Sequence, residues 1–181
     1  MLFPILLVAA AEPCTAGDPT PAALLQRCRD AALAGDLDAQ LAIAAVSLHP
    51  RSKSRDPVLA RRLLTAAAER GRADAALTLG QIYWNGDGTP KDNAAAARWW
   101  RDADAGGQKQ AALLLGNETF VRLIRTAPSP ERVDRATLAE AIGWFEKARI
   151  EDPASSGRAQ AEERLRMLRE FKSKLEAMTR P

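Results

Sequence analysis

The stretch whose reading decides the fold is Ala75-Ala76-Leu77-Thr78-Leu79-Gly80-Gln81-Ile82-Tyr83-Trp84-Asn85-Gly86-Asp87-Gly88-Thr89-Pro90, which runs on through Lys91 to Gly107. Its opening residues place apolar side chains at helical spacing, without proline and with few β-branched residues, and predict a helix from Ala75 to Trp84. Gly86 and Gly88 can take the left-handed geometry that closes a helix, and Pro90 cannot continue one. Lys91-Asp92-Asn93 offers side-chain caps for a second helix, Ala94 to Ala105, which carries Trp99 and Trp100. Gly106-Gly107 ends it. The stretch reads as one helical hairpin.

The hairpin recurs. Gly35, Gly71 and Gly107 stand 36 residues apart, each directly before a polar residue (Asp36, Arg72, Gln108). Ala39, Ala75 and Ala111 keep the same offset, as do Ile43-Ala44, Leu79-Gly80 and Leu115-Gly116. In the second helix Leu63, Leu64 and Ala67 fall on Trp99, Trp100 and Ala103. A nine-residue insertion then brings Trp144, Phe145 and Ala148 into register. A fixed period with two helices in each period is the mark of a helical solenoid. Small residues recur where helix axes approach, and large ones recur where the space between hairpins is filled. In this register Trp99, in line with Leu63 and Trp144, is expected to be core.

The pattern Ala75-x-Leu77-x-Leu79-Gly80-x-Ile82-Tyr83-x-x-Gly86-x-Gly88-x-x-Lys91-Asp92, then Ala96-x-x-Trp99-x-x-x-Ala103-x-x-Gly106, resembles the Sel-one-like repeat, a relative of the tetratricopeptide repeat. The resemblance covers roughly Ala22 to Ala148. The flanking units depart from it: Ser47 and Thr119 stand where the family has its tyrosine, and Pro50 and Arg122 replace the first loop glycine. The resemblance implies an all-α fold, a right-handed α-α superhelical solenoid of about three hairpins, to which the residues after it add a long C-terminal helix. It implies a scaffold that binds proteins or peptides, and it implies no chemistry. Members with a disulfide in every repeat are not a guide here, because those cysteines are missing.

Outside the hairpins the chain divides simply. Residues 1–11 read as a signal peptide, an apolar run ending in small residues before Glu12, although no Lys or Arg precedes it. This predicts export to the periplasm or beyond and a mature chain beginning near Glu12; a buried N-terminal segment is the other reading. The run is too short to span a bilayer, so stable membrane insertion is not expected. Residues 12–20 form a proline-bearing linker. Cys14 and Cys28 are the only cysteines, and in an oxidising compartment they would tend to pair; otherwise they are two unrelated thiols.

The solenoid is expected over 21–150, with helices at Pro21–Ala34, Ala39–His49, Pro57–Arg70, Ala111–Arg125 and Thr137–Ala148 beside the central pair. Pro50 to Arg55 is a basic turn, read as solvated. The segment 151–181 holds a helix, Arg158 to Met178, with Ala161, Leu165, Leu168, Phe171, Leu175 and Met178 on one stripe. It reads as a cap for the last hairpin, with a dimer seam as the alternative.

Composition points away from catalysis and nucleic acid. The net charge of +3 comes from arginines interspersed with acids, which is a solvated surface and not a nucleic-acid stripe. His49 is the only histidine, so neither a His-centred triad nor a His-rich metal site assembles readily. No cofactor is expected. Gly86-Asp87-Gly88 lacks the further carboxylates of a calcium loop and the lysine-serine ending of a phosphate loop. A binding scaffold is the favoured function; a cell-envelope hydrolase or cell-wall-active enzyme on the same solenoid is the alternative.

In tetratricopeptide-like solenoids the first helix of each hairpin lines the concave side. The positions that the repeat pattern leaves free are Thr78, Gln81 and Trp84, with Leu114, Asn117 and Phe120 one period later and Ala42, Ala45 and Leu48 one period earlier. Leu48, Trp84 and Phe120 would then form an apolar row, with Gln81 and Asn117 placed to satisfy a peptide backbone. The C-terminal helix could instead fill that row through Leu168 and Phe171.

Overall fold

A computed structural model describes residues 21–126, 132–151 and 156–178. Among these, eight helices and no strand are present: α1 Pro21–Leu33, α2 Leu37–Leu48, α3 Pro57–Glu69, α4 Ala73–Asn85, α5 Asn93–Ala105, α6 Gln110–Thr126, α7 Arg135–Glu151 and α8 Ser156–Met178. The all-α hairpin-repeat fold expected from the 36-residue period is the fold observed. The signal-peptide and linker segments, 1–20, lie outside the described residues.

The period has a conformational cause. Gly35, Gly71 and Gly107 have φ of 93°, 89° and 85°, left-handed values that a side chain would strain. Each turns the chain from a second helix into the next first helix. The turn inside the hairpins α2–α3 and α4–α5 also repeats. Asp56 N donates to Ser47 O and Asp92 N donates to Tyr83 O, both at 2.9 Å and one period apart. The Asp56 and Asp92 carboxylates accept from Leu59 N and Ala95 N, again at 2.9 Å, capping α3 and α5. Helix α7 begins a turn early for its register, capped by Asp134, which accepts from Thr137 N at 3.1 Å.

The chain forms two compact units, the first ending at Ala67 and the second beginning at Ala68. In the first, α1 packs on α2 and the core is Cys28, Ala32, Ala39, Ile43 and Leu63. Cys28 is disulfide-bonded; Cys14, the chain's other cysteine, lies outside the described residues. His49 is exposed at the end of α2, its Nδ1 accepting from Arg51 N at 3.2 Å.

In the second unit each helix packs on the next, from α4 to α8. Here the expectation for Trp99 is corrected. Trp100 is the buried member of the pair, 1 % exposed, and Trp99 is only half-buried. Phe145 is likewise buried and Trp144 half-buried. The buried stripe of α5 runs Ala96, Trp100, Ala103, so the large residue follows Ala96 by four positions and not three. The cause lies across the hairpin. A Cβ on Gly80 would overlap the Trp100 indole, and one on Gly116 would come within 2.9 Å of the Phe145 ring. The glycine column admits the second residue of each pair. Trp100 Nε1 then donates to Leu77 O at 3.2 Å, which satisfies the one polar atom of the buried indole. Thr119, at the family's tyrosine position, is fully buried.

Helix α8 lays its stripe of Ala161, Leu165, Leu168 and Leu175 into the core shared with Leu138, Ala141 and Phe145 of α7, and Phe171 packs at its edge. Met178, which the sequence places on that stripe, is exposed.

Candidate functional site

The side chain of Trp84 leaves the last turn of α4 toward α5 and α6. Its ring lies 5.6 Å from that of Trp100, tilted by 46°, so the buried indole is the floor on which Trp84 rests. Leu114, Asn117, Phe120 and Val121 follow along one face of α6, because residues three and four apart share a face. Gln160 and Arg164 of α8 make the opposite wall. Together they enclose an open groove of about 330 Å³ within the second unit. Beyond it the same face of α6 continues to Ile124, which is 60 % exposed.

Of the five residues named from the sequence, Trp84, Asn117 and Phe120 line this groove. Gln81 is exposed on α4 and does not. Leu48 belongs to the first unit, half-buried at the end of α2. Sequence reasoning missed Gln160 and Arg164. They stand on α8, outside the repeat register, and the period carries no information about which face of α6 that helix would approach. Leu168 and Phe171 join the core beside Phe120, so α8 covers one edge of the aromatic row and leaves the Trp84 end open.

The electrostatics divide in two. The Arg164 guanidinium sits 4.5 Å from the Phe120 ring centroid, a cation–π contact, and has no carboxylate partner among the described residues. Behind the groove, Arg122 joins Glu140 at 2.6 Å and Glu118 at 3.7 Å, and Arg101 reaches Glu140 at 3.3 Å. Burial pushes the Glu118 carboxyl above its ordinary range, against the pull of Arg122. Burial acts on Glu140 as well, but the Arg122 hydrogen bond and charge outweigh it, with Trp144 and Arg101 assisting, and hold that carboxyl low. Two carboxyls with displaced acidities can serve as an acid–base pair. Glu118, however, is 4 % exposed, so no substrate reaches it.

A second groove, about 400 Å³, lies along α4 and α5 between Tyr83, Trp99, Asp92 and Asp102, with Arg98 beside them. Trp99 is a wall of that groove. Among the described residues no cluster of three or more His, Cys, Asp or Glu is placed to hold a metal ion, and no helix is long and apolar enough to cross a membrane.

Comparison with known proteins follows the same lines. The family model for the Sel1 repeat matches residues 37–71, 73–103 and 138–149. No curated protein matches the chain. Among solved structures, a protective antigen of uropathogenic Escherichia coli strains, described as displaying an SLR fold, is similar over 80 % of this chain, with a TM-score of 0.60 and 23 % identity. This chain spans 28 % of that protein's length. A Sel1 repeat protein from Oxalobacter formigenes is similar over 78 % of this chain and 96 % of its own, with a TM-score of 0.55 and 27 % identity. Sel1 repeat proteins generally act as protein-interaction scaffolds. With three matched segments, the 36-residue period and the hairpin packing of α4 to α7, this chain belongs to the Sel1-like repeat proteins.

Proposed function

We propose that this protein is an exported scaffold that holds a peptide or protein segment in the groove between α4, α6 and α8, without catalysis of its own. The observation that carries the reading is the accessible apolar row of Trp84, Leu114 and Phe120, which runs into exposed Val121 and Ile124 on the same helix. Exposed apolar area of this kind is a liability unless something covers it. The groove has a rigid base, since Trp84 rests on buried Trp100, and a preformed aromatic anchor point lowers the cost of binding. Export is supported by the apolar N-terminal run and by the bonded state of Cys28, which oxidising compartments favour.

Two measurements test this. Peptides selected from a displayed random library against the full chain should lose affinity for Trp84→Ala by about tenfold or more, as anchor residues do. The melting temperature should fall by only a few degrees. Affinity unchanged by Trp84→Ala would remove the groove from the mechanism. N-terminal sequencing of protein from its native host should find a chain starting near Glu12, and an intact Met1 on cytosolic protein would overturn export.

A further inference from the structure

Resting on that groove reading, we infer that the segment the groove accepts is acidic: an apolar side chain seated against Trp84 and Leu114, with a carboxylate close by in sequence that pairs with Arg164. Among the described residues, Arg164 is the one charged residue lining the groove, and no acid faces it there. Arg101, Arg122, Lys147, Arg169 and Lys174 all sit against carboxylates, whereas the Arg164 guanidinium is parked on the face of Phe120.

That posture suits recognition. A guanidinium can keep its flat face on an aromatic ring while its edge presents paired N–H donors to a carboxylate, so pairing requires no loss of the stack. The site is half-buried against Phe120 and Val121, where a charge-assisted hydrogen bond is screened less than on open surface. Asn117 and Gln160 flank it and supply both donors and acceptors, suited to the peptide groups around the acid. A basic segment would bring like charge to Arg164 with no acid to offset it. Helix α8 therefore does more than cover an apolar end: it places in the groove the only charge that the described residues bring to it.

The test uses a phage-displayed random dodecapeptide library panned on the full chain, with binders synthesised and measured by fluorescence polarisation. The expected result is enrichment of Asp or Glu within a few residues of an aromatic or aliphatic anchor. Replacing that acid by its amide in the peptide should weaken binding by about tenfold or more. Arg164→Gln should do the same, Arg164→Lys should recover only part, and Arg164→Glu should shift the preference to Lys- or Arg-bearing peptides. The peptide-side change needs no protein variant, so it decides the matter even where an Arg164 variant folds poorly. Binders that depend on Trp84 but show no acid preference and no response to the amide change would overturn this inference and leave the groove reading standing. A library yielding no Trp84-dependent binder would overturn both.

Discussion

Trp100 and Gly80 form the contact that sets how closely α4 approaches α5, because the indole occupies the volume that any side chain at position 80 would need. Trp100→Ala should therefore cost about 3–5 kcal/mol, the range for a large buried aromatic. Trp99→Ala, at a half-buried wall, should cost clearly less. Urea unfolding of the two variants checks the order, and a larger loss for Trp99→Ala would mean that the buried member of the pair is misassigned. The sequence does not hide this distinction, but it is easy to misread. From Ala96, both a three- and a four-residue step stay on one helix face, so the α5 pattern alone cannot choose between Trp99 and Trp100. The choice is made by the column opposite. Ala44, Gly80 and Gly116 sit at one register position, and the largest residue answering a glycine is the one that fills it. Arg164 was illegible for a different reason, since a polar position on an amphipathic helix gives no sign of which neighbour it will meet.

At the scale of the element, α6 and α7 are tied by the network of Glu118, Arg122 and Glu140, and its two acids respond to pH with opposite sign. Glu140 is held below its ordinary value of 4.5, chiefly by Arg122 against the opposing effect of burial. Its contribution to stability is present above that ordinary value and is lost as pH falls through the lower folded one. Glu118 is raised above 4.5, chiefly by burial. Its contribution is present below 4.5 and is lost as pH rises through the raised folded value. Glu140→Gln should lower stability at neutral pH by about 1 kcal/mol, and this deficit should shrink on acidification. Glu118→Gln should gain on the parent as pH rises through the same range. Denaturant midpoints measured from pH 3 to 8, a span of about five units around the carboxylate range, check both slopes. Two variants moving in the same direction would contradict the assignment. The helix pairing behind the network was readable from the period, since α6 and α7 differ from the sequence-derived bounds by only a few residues at each end. The ion pairs were not, because Arg122 occupies a repeat position that the family pattern gives to a loop glycine.

At the scale of the whole molecule, the two units carry very different cores. Among the described residues, the first is built on Cys28, Ala32, Ala39, Ile43 and Leu63, without an aromatic ring, whereas the second buries Trp100 and Phe145. In repeat proteins stability is a sum of local terms and nearest-neighbour interfaces, so unequal units separate in their unfolding. All four tryptophans (Trp84, Trp99, Trp100 and Trp144) lie in the second unit, so their fluorescence reports on that unit alone. Far-UV circular dichroism reports on helices in both. Thermal unfolding followed by ellipticity should therefore begin at lower temperature than unfolding followed by fluorescence. Reduction of the Cys28 disulfide should widen the gap, because a cross-link acts mainly by restricting the unfolded chain of the unit that contains it. Removing it should lower the early ellipticity phase while the fluorescence midpoint stays in place. Trp100→Ala should do the reverse, lowering the fluorescence midpoint and bringing the two curves together. Coincident curves for the parent protein, with both probes shifting equally on reduction, would show that the units unfold as one.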